Sequence, residues 1–449
     1  MLAVLVSLLL LLEWSRQARP SRQVATGQGA VRGYRTPASS HYAYLGLPYA
    51  TQSHRFKAPK PPRRWDGIFE ASHRIKCPQP DGSGIEDCLV VNVFAPEFAT
   101  AAPVLVFMHD GNFQNGWGPH RPPTRLLSQG IVVVTFNYRV GALGFLCLGI
   151  PGAPGNAGLT DQVSALYWVH RNIASFGGDP KDVTVYGVGA GAASIQLLIM
   201  SGATEGLFHK AILESGSALS PLSLSYDPLA IATDAAVSLG YKGETRQELL
   251  YFYKNLPTAT IVNISNLFLP CVENKLATRH SILERDPYEI LKSRDYHTVP
   301  ILIAYSDAAG AKLEDELRNI TFDPEAFIHV LPSNLHFDSE TIKKRVSMTV
   351  KDFYLDGITT AENIYKDYAM YFNDVIYEYP IIKSAQLIAA TNKFPVYLMK
   401  FSIEKLYGNS VPMNRSKNIN EYLFDSELIE DHLVSSRLLT LWSNFIKMR

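Results

Sequence analysis

Five short apolar runs set the terms for any fold of this chain: Val104–Met108, Ile131–Phe136, Val183–Tyr186, Val299–Ala304 and Pro395–Met399. Four of the five are flanked on at least one side by Gly, Pro, Asp or Lys. Continuous runs this short suit strands buried on both faces, as in a parallel sheet, rather than strands with one wet face. Between the second and third runs, Val163, Leu166, Val169 and Ile173 recur at helical spacing, and Asp161 is placed to cap that helix. Strand, helix, strand at this spacing predicts βαβ units, hence an α/β fold whose large, mostly parallel sheet is covered by helices on both faces. The stretches 220–300 and 315–390 read as mostly helical. No repeat, low-complexity segment or linker interrupts the chain, so residues 19–449 are expected to form one domain.

The 449 residues carry 42 Lys plus Arg against 42 Asp plus Glu. Such balance, with no long run of one sign, offers no basis for a nucleic-acid partner. At the N-terminus, Leu2–Leu12 is apolar except for Ser7. That run has the length of a signal-peptide core and is too short to cross a bilayer, which takes roughly 20 residues. Residues 1–18 are therefore expected to be a secretory leader and the protein to be extracellular, and no later run is long enough for a transmembrane segment. Cys77 and Cys88 lie close together among turn formers and are a natural disulfide pair in an oxidising compartment. Cys147 and Cys271 sit in apolar contexts and are expected to remain free core thiols. Sequons at Asn263, Asn319 and Asn414 suit a secreted glycoprotein. No cofactor and no metal site is expected.

The run Val183–Tyr186 leads into Gly187-Val188-Gly189-Ala190-Gly191 and then an alanine-rich stretch. Strand, glycine-flanked turn and helix make the setting of a nucleophile elbow, G-x-S-x-G. There the central Ser occupies a strained turn and the glycines let strand and helix approach closely. Here the centre is Gly189. The surrounding text resembles the carboxylesterase type-B family, which includes the cholinesterases. The resemblance rests on Tyr44–Ala50 (YLGLPYA), Arg55-Phe56, Glu86–Leu89 (EDCL), Asn137–Gly141 (NYRVG), Asn156–Gln162 (NAGLTDQ) and Ala165–Val169 (ALYWV). Asn172-Ile173, Phe176–Pro180 (FGGDP), Ala211–Ser217 (AILESGS) and Leu441–Phe445 (LWSNF) extend it, so that it covers roughly residues 24–446. It implies an α/β-hydrolase fold and, in active members, ester hydrolysis through an acyl-enzyme.

Carried over residue by residue, the resemblance implies that the chemistry is gone. The nucleophile falls on Gly189, and the acidic residue usual before it on Val188. The triad acid of a G-x-x-x-D-E-G stretch falls on Ala309, with Asp307 two residues away. The triad His, placed by counting back from Tyr422-Leu423-Phe424, falls on Ser416; the next His, His432, lies past the motif on an expected helix. An acyl-enzyme needs a nucleophile, a base in hydrogen-bond reach and a group that orients the base. Removing that unit costs on the order of a million-fold in turnover. A vestigial oxyanion hole would be formed by the backbone N–H groups of Gly111, Asn112 and Ala190. Asp110 and Asn112 stand where the family prefers glycine. Asp110 brings a carboxylate close to the place of the oxyanion, an unfavourable arrangement if it points inward.

The resemblance also implies two structural ion pairs, Arg55 with Glu86 and Arg139 with Asp161, and all four residues are present. Cholinesterases carry a choline-stacking Trp on the loop closed by their first two cysteines; the loop between Cys77 and Cys88 holds no aromatic, which argues against a choline site there. Relatives usually continue for several dozen residues beyond the equivalent of Arg449, so the C-terminus is expected to be short. His109 reads as structural at a strand end, and His120, His170 and His432 as solvated or satisfied. Ser215 and Ser217 are either a substitute nucleophile pair or turn hydroxyls bonded to local backbone. The function that follows is a secreted, non-catalytic protein that binds an extracellular protein partner, in the manner of the neuroligin, glutactin, neurotactin and gliotactin types, or a small apolar or ester-like ligand. The alternatives are weak ester hydrolysis by other residues and a non-functional or truncated esterase copy.

Overall fold

The computed structural model describes residues 20–35, 40–273, 281–306, 324–355, 361–402, 419–424 and 432–448. The expected leader and the positions Ala309, Ser416, Asn319 and Asn414 lie outside the described residues.

All five apolar runs become strands. They are β6 (Ala102–Met108), β7 (Val132–Phe136), β8 (Gly178–Val188), β10 (Ile301–Ser306) and β11 (Val396–Phe401). In β7 and β10 every residue is buried, as strands covered on both faces require. A further strand, β9 (Lys210–Glu214), lies between β8 and β10. Strands β1 (Ser21–Ala25), β2 (Ala30–Tyr34), β3 (His41–Pro48), β4 (Ile68–Glu70) and β5 (Val90–Pro96) complete one sheet of eleven. Its order is β1-β2-β3-β5-β7-β6-β8-β9-β10-β11, with β4 paired to β2. From β7 to β11 neighbours run parallel, and from β1 to β7 along that order they run antiparallel.

Helix α1 (Ala157–Asn172) makes the crossover between β7 and β8 and buries Val163, Leu166 and Val169. Asp161 does not cap it. The helix starts four residues earlier, after Asn156 in a left-handed conformation (φ 54°), which Asn tolerates better than most residues. Asp161 lies inside the helix, wholly buried and turned to Arg139. Helix α2 (Ala190–Ile199) is buried along its whole length, so the elbow it begins is held from every side. Helices α3 (Ile419–Phe424) and α4 (His432–Lys447) cover the other face, where Trp442, Leu423 and Ile446 pack on Tyr186 and Leu302.

Two disulfides form, Cys77–Cys88 and Cys147–Cys271. The second corrects the expectation of free thiols. An apolar setting houses a buried bridge as readily as a buried thiol, and a separation of 124 residues leaves no local signal. Asn156 brings the partners together: its side chain donates to the Cys271 carbonyl and accepts from the Cys271 N–H, at 2.8 and 2.9 Å. Among the described residues no helix is long and apolar enough to cross a membrane.

Candidate active site

The elbow sits where β8 ends at Val188 and α2 begins at Ala190. Gly189 between them has φ 52° and ψ −116°, a conformation that strains any residue with a Cβ. Its N–H donates to the Glu214 carbonyl at 2.9 Å, which ties the turn to the end of β9. The flanking glycines are steric necessities. A Cβ on Gly187 would run into the Gly191 backbone, and one on Gly191 into the Met108 carbonyl.

The space above Gly189 is taken. A Cβ built there would meet both oxygens of the Asp110 carboxylate. Asp110 Oδ1 accepts the N–H of Ala190 at 2.8 Å and lies 3.4 Å from the N–H of Asn112. These are two of the three groups expected to form the oxyanion hole. Ala190 offers what a helix N-terminus offers an anion, a free N–H donor and the positive end of the helix dipole, and Asn112 adds a loop N–H. The carboxylate therefore stands where a substrate oxyanion would. The loop that delivers it turns sharply, with Gly111, Asn112 and Phe113 at φ 126°, 51° and 62°.

His109, just before this loop, is buried, and burial pushes its imidazole down to about 4, so the ring is neutral near pH 7. Its Nδ1–H donates to the Asp110 carbonyl at 2.7 Å, and the ring stacks on Tyr138 with centroids 4.1 Å apart. Tyr138 returns a hydrogen bond to the His109 carbonyl at 2.8 Å. The ring thus braces the loop from behind. His120 accepts this kind of structural role too, with Nε2 at 2.9 Å from the Ile75 carbonyl, while His170 and His432 are exposed.

Of the two serines after β9, Ser217 is satisfied: its hydroxyl lies 3.1 Å from Gln196 Oε1 and 3.2 Å from the Pro380 carbonyl, and it accepts the Leu219 N–H. Of the two alternatives for Ser215, the locally bonded turn hydroxyl does not hold. It has φ 51°, is buried, and its Oγ has no partner among the described residues. Beside it, Glu214 is wholly buried at the end of β9. Its carboxyl accepts from the Tyr186 hydroxyl and from the Asn420 N–H at 3.1 Å, and burial lifts it to about 7.

The two scaffold pairs meet. Arg55 Nη2 is 2.5 Å from Glu86, and Arg139 Nη2 is 2.6 Å from Asp161. Arg139 also donates to the carbonyls of Arg55, Lys57 and Ala157, so its buried guanidinium joins the N-terminal loops to α1. Asn263 is exposed. Among the described residues no cluster of three or more His, Cys, Asp or Glu could hold a metal ion.

Residues 20–449 match the Carboxylesterase family along their whole length. The chain belongs to the carboxylesterase family. Its relatives include esterases and neuroligins. It is 31% identical to the juvenile hormone esterase of Heliothis virescens, over 90% of this chain and 78% of that one. It is 29% identical to neuroligin-3 of Mus musculus, over 98% of this chain and 62% of that one. The crystal structure of juvenile hormone esterase from Manduca sexta, with OTFP covalently attached, superimposes with a TM-score of 0.83 at 26% identity, covering 96% and 90% of the two chains. The fold is the α/β-hydrolase fold of this carboxylesterase family.

One feature of this family member has almost no sequence signal, and a second has only part of one. Glu214 is an ionisable residue at the end of an otherwise apolar run, Ala211–Leu213, and that placement was its only signal. The sequence puts the Asp110 carboxylate near the oxyanion, but its seat on Ala190 depends on residues 80 positions apart and has no local signature.

Proposed function

We propose that this carboxylesterase-family member does not hydrolyse esters and acts by binding, as a secreted protein. One observation carries the reading: the Asp110 carboxylate occupies the space above Gly189 and accepts the Ala190 N–H. An elbow without a side chain has no nucleophile, and a filled anion site cannot stabilise a tetrahedral intermediate. Ala309 and Ser416, aligned with the acid and the base, supply neither. Secretion is supported by the apolar run Leu2–Leu12 and by two disulfides, and glycans at Asn263, Asn319 and Asn414 belong to the same reading. Arg139–Asp161 and Arg55–Glu86 keep the scaffold joined, so a fold able to present a binding surface is retained. The partner is an extracellular protein, the mode of the non-catalytic homologues that the sequence resembles. Incubating the purified protein with an activated aryl ester tests the catalytic half: hydrolysis should not exceed the buffer rate, and saturable turnover would overturn the proposal.

A further inference from the structure

Away from the elbow, residues 52–76 hold seven Lys and Arg against Asp66 and Glu70, in a chain that is otherwise balanced. Part of that charge is used within the fold, since Arg55 pairs with Glu86, and Glu70 is held by Arg32 at 2.7 Å. Arg63, Arg64 and Arg74 remain exposed and Lys76 half-buried. They lie on one stretch of surface. Arg63 and Arg64 line a cleft of about 760 Å³ that reaches Ile75. Arg74, next to Ile75, lines a second cleft of about 710 Å³ together with Arg121. The segment Arg74-Ile75-Lys76 is thus the ridge between two clefts, with cations on both slopes.

The backbone under these cations is fixed. The Ile75 carbonyl accepts from His120 Nε2 and Asn137 Nδ2, both at 2.9 Å, and the Lys76 carbonyl accepts the Ile85 N–H at 3.0 Å. Trp65 pins the coil that carries Arg63-Arg64, donating its N–H to Gln28 and its Nε1–H to Ala30. A rigid display loses little ordering entropy on binding. The carboxylates on the two clefts are Glu86, held by Arg55; Asp110, seated on Ala190; and Asp87 and Glu421.

We propose that this ridge binds a sulfated polysaccharide. Arginine forks match the paired oxygens of a sulfate, and cations on both slopes suit a chain with repeated anions better than a single small one. Single-stranded nucleic acid would need open aromatic faces to stack on. Here the Trp117 ring carries the Lys76 ammonium at 3.5 Å from its centroid, and the Trp65 indole is tied to the fold. Two disulfides also point to an oxidising compartment, where sulfated sugars are the common polyanions. The second cleft borders the elbow through His109 and Asp110, but the four arginines that carry the proposal, Arg63, Arg64, Arg74 and Arg121, lie outside the elbow's hydrogen bonds, so the proposal stands whether or not the chain hydrolyses esters.

The test titrates a size-defined heparin oligosaccharide into the full-length protein at physiological ionic strength, with a fully desulfated oligosaccharide and single-stranded DNA of equal charge as comparisons. Heparin should bind, with an affinity that falls linearly in log–log form as salt rises, and the desulfated sugar should not. Arg63→Ser/Arg64→Ser and Arg74→Ser/Arg121→Ser should each weaken binding about tenfold. Lys344→Ser/Arg345→Ser, the same charge change on the exposed helix Glu340–Leu355, should leave it within about twofold. Near-UV circular dichroism confirms that each variant is folded. Absence of heparin binding, an equal loss in the Lys344/Arg345 variant, or tighter binding of the DNA would each overturn the proposal.

Discussion

Gly189 and Asp110 compete for one volume, and that competition can be measured as a coupling energy. Consider Gly189→Ser. At φ 52° and ψ −116° a residue with a Cβ is strained by about 1–3 kcal/mol. The new Cβ also meets the Asp110 carboxylate, which must leave. The buried Ala190 N–H then loses its charged acceptor at the start of α2, about 1–2 kcal/mol more. Asp110→Gly alone loses the same hydrogen bond. In the double variant it is lost only once, so the two single costs together should exceed the double cost by about 1–2 kcal/mol. Urea unfolding of the four proteins measures this from midpoints and slopes. Gly189→Ala should behave like Gly189→Ser, since the Cβ and not the hydroxyl makes the conflict. Additivity within about 0.5 kcal/mol would refute the reasoning, because the carboxylate would then not fill the elbow.

Three further outcomes are expected of the same fold. Repair of hydrolysis needs Gly189→Ser, Ala309→Glu, Ser416→His and, because the hole is filled, Asp110→Gly as well; the quadruple variant should slowly cleave an activated ester, and Gly189→Ser alone matching it would place an unrecognised base at the site. Burial raises Glu214 from 4.5 to about 7, so its contribution to stability is full below the unfolded value and is lost as pH rises through 7; between those values the wild type should lose about 3 kcal/mol that Glu214→Gln does not, and parallel stability–pH curves for the two would count against this environment. Opening the 124-residue loop with Cys147→Ser/Cys271→Ser should cost about 4–5 kcal/mol in the chain-entropy picture, and non-reducing peptide mapping that finds both cysteines alkylated would remove the bridge from the account.

The parallel half of the sheet was readable because its strands are nearly pure β-branched and aromatic runs, such as Val132–Phe136, and burial on both faces leaves no other pattern. The strand Lys210–Glu214 was passed over because a charged residue stands at each end. Both charges are buried and compensated at a distance: Lys210 reaches Asp182 and the Ile446 and Met448 carbonyls, each at 2.6 Å, and Glu214 reaches Tyr186 and Asn420. The elbow was legible from its glycines, since close approach of strand and helix demands them locally. What filled it was legible only in part: Asp110 could be placed near the oxyanion, but its inward direction could not be read. The side chain of Asp110 is placed by the left-handed run Gly111–Phe113 and by a donor on another element, and neither shows in a one-dimensional pattern. The helix start shifted for a related reason. Asn156 is committed to Cys271, so it ends the preceding loop, while Asp161, the better cap by composition, is committed to Arg139.

The central claim is that no residue of this protein forms an acyl-enzyme. The most direct measurement is the intact mass of the purified, natively folded protein after prolonged incubation with an excess of a fluorophosphonate, a reagent that reports an activated serine hydroxyl whatever its position. An unchanged mass is the expected result, because Gly189 has no hydroxyl, Ser217 is held by Gln196 and Pro380, and Ser215 is buried without a basic partner among the described residues. A stoichiometric adduct that disappears on prior heat denaturation, mapped to Ser215 or to any other serine, would contradict it.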